Sequence, residues 1–67
     1  RIDVHSRIGE EAVLVQRLNE VERQLRLTGL VAEREEIYRC ARAGDLPDNV
    51  ASKLVREIDL LEARLAT

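Results

Sequence analysis

The sequence contains no tryptophan, phenylalanine or methionine, and its aromatic inventory is the single Tyr38. So few flat side chains leave almost no surface on which nucleobases could stack. Eleven Lys and Arg against 13 Asp and Glu give a net charge of −2, without the basic stripe that phosphate binding needs. Nucleic acid is therefore excluded as an expected partner, and peripheral membrane binding with it. One cysteine, Cys40, and one histidine, His5, supply neither a disulfide framework nor a paired-thiol metal spacing, so no cofactor or metal is expected. Apolar runs are only a few residues long, far below the ~20 needed to span a bilayer, and no signal-peptide pattern is present. The reading is a soluble, cytoplasmic segment, its lone thiol fitting a reducing compartment. Its start at Arg1 in place of Met suggests a fragment of a longer protein.

A chain of 67 residues buries only about 60% of its unfolded surface, which leaves an isolated core marginal. With disulfides and metals absent from the expectation, oligomerisation is the remaining source of burial.

What is abundant is Leu, Glu, Arg and Ala, strong helix formers, with the β-branched residues at helical rather than alternating intervals. The fold class is all-α, with no strand. Pro47 and the glycines Gly9, Gly29 and Gly44 partition the chain. Residues 1–8 read as a linker remnant or frayed helix, and 9–67 as one helical interaction domain with helices at about 10–27, 30–43 and 47–66. In the first, Leu14, Leu18, Val21 and Leu25 step by 4, 3 and 4, the spacing of a helical seam. The second carries Leu27, Leu30, Val31, Ile37, Tyr38 and Ala41 up to Gly44, a glycine suited to the left-handed residue that ends helices. Asp45-Leu46-Pro47-Asp48 then supplies a turn and helix-start signals ahead of Val50, Ala51, Leu54, Ile58, Leu61 and Leu65. So short a connection predicts an antiparallel helical hairpin, with Leu30, Ile37, Tyr38, Ala41, Leu54, Ile58, Leu61 and Leu65 as its core.

At about 100° per residue, the Leu14–Leu25 seam and the apolar face of the second segment point in nearly opposite directions. Either the chain breaks at Thr28-Gly29 and closes a three-helix bundle, or one helix runs from about Glu10 to Ala43 and serves two partners. The second is preferred, because Thr28-Gly29 offers neither a proline nor room for a loop. Leu14, Leu18, Val21 and Leu25 then form an oligomer interface, a homo-oligomer and most simply a dimer, assembled as a helical bundle. Leu60 and Val55 fall away from the stripe of the last helix, and Val13 and Val15 flank the seam.

Candidate chemistry is sparse. Arg34 lies in the apolar face of the second segment, where its guanidinium needs a carboxylate, and Glu57 and Glu62 are the candidate partners in an interhelical ion pair. His5 has no second ligand nearby, and Cys40, between Arg39 and Arg42, has no His and Asp framework for nucleophilic catalysis. The acidic runs Glu10-Glu11 and Glu33 to Glu36 lack the Gly-containing loop of a calcium site. Glu22 with Arg26, and Glu35 with Arg39, stand in the four-residue order that supports helices. No catalytic residue and no small-molecule site is identified, and the chain is not expected to be an enzyme.

Ala32-Glu33-Arg34, then Ala41-Arg42-Ala43-Gly44-Asp45-Leu46-Pro47-Asp48, then Arg56-Glu57-Ile58-Asp59-Leu60-Leu61-Glu62-Ala63-Arg64-Leu65 resemble the C-terminal cytoplasmic tail of bacterial sodium/proton antiporters of the monovalent cation:proton antiporter superfamily. The resemblance covers about half the chain; Pro47 stands where those tails usually have Ser, and Leu61 where they usually have Glu. It implies a module that dimerises or regulates a transporter from the cytoplasmic face of the inner membrane, with transport carried out by a membrane domain outside this chain. An adaptor coiled coil of a soluble complex would carry the same features. Leu54 to Leu65, with Arg56, Glu57, Asp59 and Arg64, also resembles the first helix of all-helical chorismate mutases, but no helices follow it here to complete such a site.

Overall fold

Between Val4 and Arg42 no proline interrupts a run dominated by good helix formers, and isolated glycines cost only about 1 kcal/mol each relative to alanine. In the computed structural model this stretch is one α-helix, α1 (Val4–Arg42), of 39 residues. The structure describes the backbone of residues 4–66 and the side chains of residues 8–66. Residues 4–8, read as a linker remnant or frayed helix, belong to α1, and residues 1–3 lie outside the described part. The segments 10–27 and 30–43 are one helix: Gly29 keeps a helical backbone, so the preferred continuous arrangement is the one present. The side chain of His5 lies outside the described residues.

The helix stops where the left-handed residue was expected. Gly44 has φ +79°, a region that costs any residue with a Cβ, and its N–H donates to the Ala41 carbonyl at 3.1 Å. The Asp45 N–H reaches back to the Cys40 carbonyl at 2.9 Å, so two carbonyls orphaned at the helix end are satisfied by a Schellman turn. Arg39 and Arg42 add positive charge in the last turn, favourable at the negative end of the helix dipole.

The second helix, α2 (Asp48–Ala66), has 19 residues. Pro47 sits just ahead of it rather than within it, and its carbonyl accepts from Val50 at 3.1 Å and Ala51 at 3.0 Å. Asp48 supplies the acidic first turn. With two helices and no strand among the described residues, the fold is all-α.

The two helices touch along the C-terminal half of α1. Arg34 meets Asp59 and Glu62, while Arg23, farther from the turn, meets Leu65. The shared apolar stripe is thin: Ala51 and Ile58 are the only buried hydrophobic residues described, and Leu27, Leu30, Ile37, Ala41, Leu54 and Leu65 are half-buried. Two expected core residues lie at the margin instead, Tyr38 at 45% exposure and Leu61 at 43%. Each stands about 60–70° around its helix from the line of closest approach, beyond what one facing helix can cover. Val55, read as lying off the stripe, is half-buried against α1. The result is a long, flat body of 66 × 18 × 9 Å. Its radius of gyration is 19.0 Å, against about 11 Å for a compact chain of this length.

Candidate interaction surface

Because α2 is about half the length of α1, the part of α1 before about Arg23 has no helix beside it among the described residues. The four seam residues lie here or at its edge. Leu14, Leu18, Val21 and Leu25 are 56%, 59%, 56% and 68% exposed. Val13 and Val15 flank them at 56% and 54%, and Ile8 continues the apolar surface toward the N-terminal end at 58%. Scattered exposed leucines are ordinary, but seven large aliphatic residues gathered on one helical segment are an unusual concentration for a monomeric surface.

The seam faces away from α2. Along α1 the half-buried positions Arg23, Leu27, Leu30, Arg34, Ile37 and Ala41 recur every three or four residues and mark the side that α2 covers. At about 100° per residue, Leu14, Leu18, Val21 and Leu25 fall on the opposite side. A partner on the seam would therefore approach without displacing α2.

Charges decorate both surfaces. Arg34, expected to seek Glu57 and Glu62, holds Glu62 and takes Asp59 at 2.7 Å in place of Glu57. The hydrogen bond that Arg34 donates to Asp59, assisted by the charges of Glu62 and Asp59, raises the guanidinium pKa despite partial desolvation. Nearer the seam, Arg23 donates to both oxygens of Glu20, at 2.6 and 3.0 Å, and Gln24 adds a donation at 3.2 Å. These hold the Glu20 carboxyl below its ordinary pKa, the Arg23 hydrogen bond being the largest cause. Glu22 pairs with Arg26 at 2.7 Å. Arg39 takes Glu36 rather than the expected Glu35, which lowers the Glu36 carboxyl and raises the Arg39 guanidinium.

Cys40 is half-buried, its Sγ 3.7 Å from Glu36 Oε1 and 3.6 Å from Arg39 Nη2, in the same small polar group. No group of three or more His, Cys, Asp or Glu among the described residues is placed to hold a metal ion, and no described helix is long and apolar enough to cross a membrane. No protein-family model, no curated protein and no solved structure matches the chain.

The sequence pattern did not single out Asp59 as a partner of Arg34 or Val55 as half-buried. A hint was available for Asp59: it stands three residues before Glu62, so the two carboxylates share a flank of α2.

Proposed function

We propose that the chain is a helical self-association module, most simply a dimer, in which α1 and α2 form an antiparallel hairpin and the seam of α1 binds another copy. The observation that carries this reading is the exposure of Leu14, Leu18, Val21 and Leu25 on the side of α1 turned away from α2. Covering four such residues removes apolar area from water, the dominant favourable contribution to association. The role is non-catalytic and needs no cofactor.

Sedimentation at micromolar concentration tests it. The unmodified chain is expected to run as an oligomer, and Leu18→Glu with Val21→Glu as a monomer that keeps the helicity of the α1–α2 contact. A monomeric mass for the unmodified chain would overturn the proposal.

The wider role proposed is the cytoplasmic tail of a bacterial sodium/proton antiporter, where the module would tie together or regulate subunits whose membrane domains carry the ion. This rests on the residue strings between Ala32 and Leu65 alone. Reading the parent sequence ahead of Arg1 tests it: repeated apolar spans of about 20 residues support the tail, and a soluble domain overturns it.

A further inference from the structure

Resting on the self-association reading, the placement of charge beside the seam specifies how two copies meet. In heptad notation Leu18 and Leu25 occupy a positions and Leu14 and Val21 d positions. Arg17 then falls at g and Glu22, five residues later, at e, on opposite flanks of the apolar strip. Both are exposed. Glu22 is held on its outer side by Arg26, whereas no carboxylate among the described residues pairs with Arg17.

We propose that the occupant of the seam is a second copy lying parallel and in register, and that Arg17 and Glu22 determine that orientation. In a parallel pair a g residue faces the e residue five positions on in the partner. Arg17 of each copy therefore faces Glu22 of the other, giving two opposite-charge contacts across the middle of the strip. An antiparallel pair that keeps all four apolar layers sets Leu14 on Leu25 and Leu18 on Val21. Arg17 then faces Gln24 and Glu22 faces Val15, so neither charge finds its opposite. The parallel pair also sets like charges on each other where the heptad register continues past the four apolar layers, Arg7 and Glu11 on one side and Glu35 and Arg39 on the other. Those positions lie outside the apolar strip, where water and salt screen the repulsion, whereas Arg17 and Glu22 flank its middle. Since α2 occupies the far side of each α1, the pair is a four-helix layer with the α2 helices outermost and the two Val4 ends together.

Charge reversal tests the orientation. Arg17→Glu alone and Glu22→Arg alone each turn two attractive contacts into two repulsive ones, and each is expected to raise the dissociation constant roughly tenfold. An equimolar mixture of the two variants restores both attractions in the heterodimer and is expected to recover the unmodified affinity, measured by sedimentation or energy transfer. As a second readout, Val21→Cys in a Cys40→Ser background is expected to form an intermolecular disulfide on mild oxidation, because identical d positions meet only in the parallel pair. Dimers indifferent to the reversals, or a mixture no tighter than its components, would overturn the parallel orientation while leaving self-association standing. An unmodified chain that is monomeric overturns both.

Discussion

Arg23 of α1 donates through Nη1 to the backbone carbonyl of Leu65 at 3.2 Å, placing a cation on one of the carbonyls that the end of α2 leaves without a helical partner. The same guanidinium is fixed from the other side by Glu20. Arg23→Met keeps the aliphatic stem and removes that donor. Amide exchange is expected to quicken over the last turn of α2, about residues 62–66, with Val50 to Ile58 unaffected. Uniform protection along α2 would show that the contact does not hold the end.

Ile58 carries the packing test. It is 5% exposed, whereas Leu60 on the other side of α2 is 62% exposed. Ile58→Ala should cost about 2 kcal/mol, the lower part of the range for a buried aliphatic truncation, since so thin an interface can partly collapse. Leu60→Ala should stay within about 0.5 kcal/mol. Urea unfolding followed by circular dichroism, at matched concentration, separates the two.

The glycines of α1 and of the turn predict opposite signs. A Cβ at Gly29 meets nothing within 4 Å, and the backbone there is helical, so Gly29→Ala should stabilise by about 0.5–1 kcal/mol. At Gly44 the space is equally open but φ is +79°, so Gly44→Ala should destabilise by about 1 kcal/mol. If both substitutions raised the melting temperature, the Schellman turn would not be setting the helix end.

Acid should loosen α1. The Glu20 and Glu36 carboxyls are lowered by their arginine partners in the folded chain. Groups depressed on folding contribute stability that is fully present above the unfolded value, about 4.3, and is lost as pH falls through the folded value. Helicity is expected to be flat from about pH 6 to 8 and to fall below about pH 4, with a smaller fall in Glu20→Gln plus Glu36→Gln. An identical acid limb in that variant would assign the loss to other groups.

Helix content and the Gly44 end were legible because they depend on local chemistry: propensity, a left-handed residue and acidic residues after the turn. The continuity through Gly29 was legible as a preference, since one glycine without a proline is too weak to stop a helix. Glu62 was legible as a partner of Arg34, but Asp59 in place of Glu57 was not. Glu57 and Asp59 lie at comparable angles on opposite flanks of α2, so the pattern along one helix cannot rank them. Which flank Arg34 meets depends on how α2 is rotated against α1, and that is settled by Ala51, Ile58 and half-buried Val55. Tyr38 and Leu61 were overcounted as core for a related reason: periodicity marks a face about 100° wide, and a single neighbour covers less of it.

The mismatch in length between α1 and α2 has a thermodynamic corollary. Among the described residues no second helix packs on residues 4–22, so in a lone copy they rest on their own backbone hydrogen bonds and on side-chain pairs such as Glu22–Arg26. A helix without tertiary packing is only weakly held in water. For this half, finding a partner and acquiring a fixed shape become one event. Its affinity then follows helix propensity as closely as contact chemistry, and association should show a larger ordering entropy and a steeper loss on warming than the docking of two rigid surfaces.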